Sequence, residues 1–167
     1  MNSRIFFTVL LAIALVASVA GAGTIDENKA LVANFIEANN AKDFDNLPTY
    51  VTDNFRRHSQ ASPGVVVANK EQFIKHMGDD LNTFPDAKID VQQVVAEGDR
   101  VAVWGSYLGT YNGEVPGSGS AGRKVNVDFS AIYRIEGDKI AELWITWDNL
   151  AVRTQLGEKT VPGGIAE

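Results

Sequence analysis

The sequence contains no cysteine among its 167 residues. Disulfide bonds, thiol chemistry and cysteine-ligated metals are therefore excluded, and packing has to stabilise the fold. The chain has two histidines and no H-x-x-x-H pair, so we expect no metal site. It also lacks a cluster of Lys and Arg, and its net charge is −6. These features argue against nucleic acid or an anionic membrane surface as a partner.

Residues 1–22 have the layout of a secretory signal peptide. Arg4 supplies a positive charge, an apolar run follows, and small residues offer cleavage sites at Ala20 and Ala22. A membrane anchor is the alternative, but about 15 apolar residues are short for a bilayer, which needs roughly 20. We therefore expect a protein that is secreted or otherwise extracytoplasmic, with no membrane contact after cleavage.

Helical signals occupy the first half of the mature chain. Thr24 and Glu27 have the spacing of a capping box and predict a helix that continues to about Ala41. The segment 42–55 continues this pattern as a short broken helix, and residues 56–67 are polar and predict a loop. A further helix is predicted to begin after Asn69.

From residue 88 onward the apolar period changes to two. Four strands are predicted, over residues 88–95, 100–111, 124–135 and 140–147, and a short helix over Leu150–Leu156 follows them. Helices first and a meander of strands second predict an α+β fold. Long antiparallel strands with one face on helices curl into a half-open cone, so we expect the N-terminal helices to close a pocket.

The last strand divides its side chains between two faces. Residues two apart point the same way, so the two sets are Glu142, Trp144, Thr146 and Asp148, and Leu143, Ile145 and Trp147. The first set combines an aromatic wall, a hydroxyl and a carboxylate, which is typical of a ligand pocket. The second set is apolar and indicates contact with the core.

Asp148 has two interpretations that do not exclude each other. It directly precedes a helix, where an aspartate N-cap contributes about 1 kcal/mol. It could also be a catalytic acid/base, because burial beside Trp144 and Trp104 would destabilise its charged form and strengthen it as a base.

Three other residues, His58, Tyr107 and Asp128, have a functional interpretation and a structural one. His58 could donate a hydrogen bond to a carbonyl group or tune Asp148, or it could be a loop histidine satisfied locally. Tyr107 could line the pocket or belong to the core. Asp128 could be a second pocket carboxylate, or it could face solvent or a dimer partner. His76 is expected at the surface of its helix.

The pattern E-x-W-x-x-x-D-x-L-x-x-x-x-Q-L-G, from Glu142 to Gly157, resembles the closing signature of the SnoaL-like polyketide and ester cyclases. That family belongs to a superfamily of cone-shaped folds related to nuclear transport factor 2. The likeness spans roughly residues 28–157 and implies one domain over residues 23–160, followed by a tail over 161–167. Leu143 departs from the family pattern, which often has His there.

The resemblance implies a small apolar carbonyl ligand and proton transfer by Asp148 without a cofactor. The reaction would be a cyclisation, an isomerisation or a dehydration. From the pattern of residues we expect His58 to act with Asp148, and the ligand-binding candidates are Trp104, Tyr107, Asp128, Trp144 and Thr146. A homodimer formed through the sheets is a further expectation. The missing His at Leu143 keeps a second reading open, that of a ligand carrier or interaction domain without chemistry.

Overall fold

The computed structural model describes residues 23–114 and 118–158. The predicted signal peptide and C-terminal tail lie outside the described residues, as does the centre of the Gly/Ser-rich loop at 115–117. In the described parts of the chain, no helix is long and apolar enough to cross a membrane.

The described residues form three α-helices, a short 3₁₀ helix and one five-stranded sheet. The elements are α1 Ile25–Asn40, the 3₁₀ helix Leu47–Tyr50, β1 Val51–His58, α2 Lys70–Thr83, β2 Lys88–Glu97, β3 Arg100–Thr110, β4 Lys124–Glu136, β5 Lys139–Trp147 and α3 Asn149–Gln155. The strand order is β1-β5-β4-β3-β2. β1 runs parallel to β5 and the other neighbours are antiparallel. The predicted α+β fold is confirmed, with a mixed sheet.

β1 is absent from the sequence prediction, which assigned these residues to a helix and a loop and is wrong here. Two of its side chains are fully buried, Val51 and Phe55, and most of the others are polar. The strand forms through long-range pairing with β5, in which His58 lies opposite Trp144. Its edge position leaves polar side chains exposed, so the local pattern resembles a loop.

Side-chain caps fix the starts of the first two helices as the sequence predicts. Glu27 N–H donates to Thr24 Oγ1 at 3.3 Å, and Thr24 N–H donates to Glu27 Oε2 at 2.8 Å, which completes the capping box. At α2, Gln72 N–H donates to Asn69 Oδ1 at 2.8 Å. These bonds satisfy backbone donors that have no partner within the helix.

Alternation along β4 shows which face of the sheet is covered. Odd-numbered side chains from Val125 to Ile135 are buried, while the even-numbered ones are exposed or half-buried. β4 pairs with β5 in a register that sets Phe129 opposite Trp147 and Tyr133 opposite Leu143. Leu143, Ile145 and Trp147 of β5 therefore share the inner face with the core, and a register shift before them places Ile140 on that face opposite Ile135. We call the side of the sheet that carries the buried odd-numbered residues of β4 the inner face, and the opposite side the outer face.

Aromatic side chains join the helices to the inner face. Phe73 of α2 packs on Phe55 of β1 with ring centroids 5.1 Å apart, in a T-shaped arrangement. Phe35 of α1 lies 6.1 Å from both Phe73 and Tyr133. These ring contacts pack α1 and α2 against β1 and β4.

Candidate functional site

A cavity of about 840 Å³ lies between the inner face and the helices. This volume is within the range of small-molecule sites. Its walls are mainly apolar and aromatic, with contributions from Phe35, Phe55, Phe73, Phe129, Tyr133, Leu143, Ile145 and Trp147. A ligand that fills it would be largely apolar.

The expectation that the Trp144 face of β5 lines the pocket is wrong. Leu143, Ile145 and Trp147 line the cavity, and Trp144 and Thr146 point to the outer face. The reason is the register with β4, whose buried residues stand opposite the odd-numbered residues of β5. Side chains alternate between the two faces of a strand, so an error in assigning one residue to a face places the whole alternating set on the wrong side of the sheet.

Asp148 is exposed and caps α3. Its Oδ1 accepts a hydrogen bond from Ala151 N–H at 3.0 Å, which confirms the capping prediction. Asp148 is absent from the residues that line the cavity. The expected burial of its carboxylate beside Trp144 and Trp104 is therefore wrong, and the cavity geometry gives no support to its predicted acid/base role.

His58 meets Trp144 on the outer face. The two rings stack with centroids 5.0 Å apart and planes 13° apart. His58 Nε2 lies 3.0 Å from Glu142 Oε2, and Arg134 Nε donates to Glu142 Oε1 at 2.8 Å. Partial burial opposes ionisation of Glu142, but the hydrogen bonds from His58 and Arg134 lower its pKa. This network is solvent-accessible and lies across the sheet from the cavity.

The remaining predicted ligand-binding residues divide between the two faces. Trp104 is 45% exposed and Asp128 is exposed, where its Oδ1 accepts a hydrogen bond from Ser106 Oγ at 3.0 Å. Thr146 is exposed as well. Tyr107 is the one member of the predicted set that lines the cavity.

A polar cluster occupies the α2 side of the cavity. His76 and Asp80 of α2, Tyr107 of β3 and Arg57 of β1 all contribute to its lining. Tyr107 Oη donates to Asp80 Oδ2 at 3.3 Å. Burial raises the pKa of Tyr107, and the negative charge of Asp80 acts in the same direction. The phenol therefore stays protonated and holds the carboxylate in place.

His76 is half-buried and lines the cavity, so its expected surface position is wrong. Burial lowers the pKa of His76, the positive charge of Arg57 lowers it further, and Asp80 opposes both effects. The imidazole is therefore neutral at neutral pH. Phe73, His76, Met77 and Asp80 stand at positions i, i+3, i+4 and i+7 of α2, and this helical stripe could have located both polar groups from the sequence.

Metal binding has no constellation of side chains to support it in the described parts of the chain. No group of three or more His, Asp or Glu side chains there could hold an ion.

The fold is α+β with a mixed five-stranded sheet, and its cavity has the size of a small-molecule site. The family model described as SnoaL-like polyketide cyclase matches residues 29–156. The chain therefore belongs to the SnoaL-like polyketide cyclase family.

Solved structures with the same fold support this assignment. AclR, a candidate hydroxylase from Streptomyces galilaeus, is 25% identical with a TM-score of 0.68, covering 80% of this chain and 98% of AclR. IdmH, a candidate polyketide cyclase from Streptomyces antibioticus, is 25% identical with a TM-score of 0.68, covering 78% and 99%. A candidate SnoaL-like polyketide cyclase from Jannaschia sp. CCS1 is 24% identical with a TM-score of 0.71, covering 83% and 97%. A search of curated proteins found no match.

Proposed function

We propose that this protein binds a small, largely apolar carbonyl compound in the cavity. We propose further that it removes a proton from this compound and returns it, without a cofactor. The observation that carries this proposal is the cluster of His76, Asp80 and Tyr107 in a cavity whose walls are otherwise mainly apolar. Membership of the cyclase family supports ligand binding and cyclase-type chemistry. The proposed site is therefore built on α2 and β3 and does not use Asp148.

The chemistry begins with the neutral imidazole of His76. It accepts a proton from a carbon next to the carbonyl group, and the electron pair left behind moves into the carbonyl oxygen to give an enolate. The negative charge of Asp80 favours the protonated imidazole that forms. Attack of the enolate carbon on a second carbonyl group closes a ring, and His76 then returns its proton to the alkoxide. Isomerisation would use the same proton transfer without ring closure.

Exchange of the α-protons of 2-tetralone, an apolar bicyclic ketone, tests proton transfer without the natural substrate. In D₂O, proton NMR should show faster exchange with the wild-type protein than with buffer. His76→Gln should lose this acceleration while keeping the ligand bound. Retention of the full rate in His76→Gln would contradict the assignment of the base.

A carrier without chemistry is the second candidate function. The observation that favours it is the inner face of β5, where Leu143, Ile145 and Trp147 provide no acid or base. A carrier would bind 2-tetralone, seen by saturation-transfer NMR, without accelerating its exchange. Faster exchange that depends on His76 excludes this candidate.

A homodimer through the outer face is part of the same proposal. Val95, Ala102, Ile132 and Trp144 stand opposite one another across β2, β3, β4 and β5, which makes an apolar row. Val95 is 65% exposed and Ile132 is 40% exposed. Ile132→Lys should convert the dimer to a monomer in light scattering, whereas Asn126→Lys, exposed at the far end of β4, should not. A wild-type monomer would contradict this part.

Export of the protein from the cytoplasm is the last part of the proposed function. We expect the mature protein to begin near Gly21 or Gly23, as the N-terminal sequence predicts. The intact mass of protein recovered outside the cytoplasm tests this, and a mass that includes residues 1–20 would contradict it.

A further inference from the structure

Arg57 places a cation inside the cavity. It follows Arg56, whose side chain is exposed, and shares the inner face with buried Phe55. Its Cζ lies 5.8 Å from the centroid of the Trp147 ring, and its Nη1 donates to Ser62 Oγ at 2.9 Å. The guanidinium therefore lies over the Trp147 ring and is held at one nitrogen by Ser62.

Within the described residues, most donors of this guanidinium have no protein acceptor. A guanidinium has five N–H donors, and across residues 23–114 and 118–158 this one makes a single side-chain hydrogen bond. Asp80 acts on Arg57 through space but forms no ion pair with it in these residues. Arg134 on the outer face is the contrast, because it bonds Glu142 at 2.8 Å and Glu136 at 3.0 Å.

Packing alone does not account for a charge in this position. Burial lowers the pKa of Arg57, and Asp80 offsets that effect only in part. Arg57 has no ion-pair partner within the described residues, and a half-buried charge of this kind is unfavourable; such groups concentrate at functional sites. The Trp147 ring attracts the charge of the guanidinium but does not replace hydrogen-bond acceptors for its N–H groups. Those N–H groups are open to a ligand in the cavity.

We infer that Arg57 binds a planar two-oxygen anion of the ligand. The inference rests on the proposed function, because the ligand has to occupy the cavity. A carboxylate group and the enolate of a 1,3-dicarbonyl both present two oxygens at a spacing that suits the guanidinium fork. The apolar walls hold the body of the ligand, and Arg57 fixes which end of it faces the α2 cluster. The ligand class is thus an apolar carboxylic acid or an acidic 1,3-dicarbonyl compound.

Isothermal titration with two matched probes tests this inference. Naphthalene-2-carboxylate and naphthalene-2-carboxamide have the same shape and differ in charge. The wild type should bind the carboxylate about tenfold more tightly than the amide. Arg57→Met should lose that preference and still bind the amide, and Arg57→Lys, which keeps the charge but not the fork, should keep part of it. Arg56→Met is the matched control and should behave like the wild type.

A second arm separates the two sources of the anion. Ultraviolet titration of 1-phenylbutane-1,3-dione reports its enolate, and the wild type should move its ionisation to lower pH while Arg57→Met does not. A preference in the first arm assigns a carboxylate, and a shift in the second arm alone assigns an enolate. Equal affinity for both naphthalene probes together with an unshifted diketone overturns the inference. Failure to bind any of these probes or 2-tetralone would instead refute the proposed function.

Discussion

Replacing Asp148 by asparagine separates the two roles that the sequence assigns to this residue. Asparagine keeps an acceptor oxygen for Ala151 N–H, which lies 3.0 Å from Asp148 Oδ1. Because Asn caps a helix about as well as Asp, the free energy of unfolding should change by less than about 0.5 kcal/mol. Because the carboxylate lies outside the cavity lining, the exchange rate of 2-tetralone should stay within about twofold of the wild type.

Asp148→Ala is the companion variant, since it removes the same charge and also removes the cap. Loss of an N-cap costs about 1 kcal/mol, which lowers the melting temperature by about 3 °C for a domain of this size. α3 has no buried residue within its bounds, and Leu156 just beyond it is 6% exposed. Ala151 and Val152 are only partly buried where they pack beside Leu156, so the cap contributes a large share of the stability of this short helix and its loss should be measurable.

Urea and thermal unfolding followed by circular dichroism give the stability of both variants, and proton NMR gives the exchange rate. The reasoning is refuted if Asp148→Asn keeps the wild-type melting temperature and loses more than about tenfold in exchange rate. Such a result would show that Asp148 acts on the ligand directly and that the assignment of the site to α2 is wrong.

Three further predictions follow from the core and the polar cluster. Phe55 is 1% exposed and packs on Phe73, so Phe55→Ala should lower the free energy of unfolding by about 3–5 kcal/mol in urea titrations; a loss below about 1 kcal/mol would contradict the packing. Tyr107→Phe removes the donor to Asp80 and should cost about 1 kcal/mol or less in stability, yet slow 2-tetralone exchange; an unchanged rate would show that the carboxylate needs no positioning. The pKa of His76 is lowered in the fold, so the unfolded chain binds more protons and stability falls as pH drops through the range below 6.5. Urea titrations at several pH values should show a smaller fall for His76→Gln, and equal falls would exclude this linkage.

Local signals are sufficient to predict most of the elements. The Thr24 capping box, the Asn69 cap and the Asp148 cap each mark a helix start, because a short side chain can satisfy backbone N–H groups only at that position. The alternation along β4 likewise follows from its own residues. These features depend on residues that are close together in the chain, so they can be predicted from the sequence alone.

The position of the site depends on contacts between distant residues. Alternation divides β5 into a Leu143 set and a Trp144 set, but each set has a large aromatic side chain. The long helices α1 and α2 that cover the inner face end more than 50 residues before β5 begins. β1 likewise exists because it pairs with β5. His76 is the exception. It lies on the same helical stripe as Phe73, so its position at the cavity could have been predicted from the sequence.

β5 faces the cavity on one side and the proposed dimer surface on the other, and its neighbouring positions belong to different functions. A gene library that randomises the codons of Leu143, Ile145 and Trp147 would explore new ligand preferences while the assembly surface stays as it is. Randomising Trp144 and Thr146 would do the reverse. If both proposals hold, ligand selectivity and dimer formation can change independently, because they depend on alternate residues of the same strand.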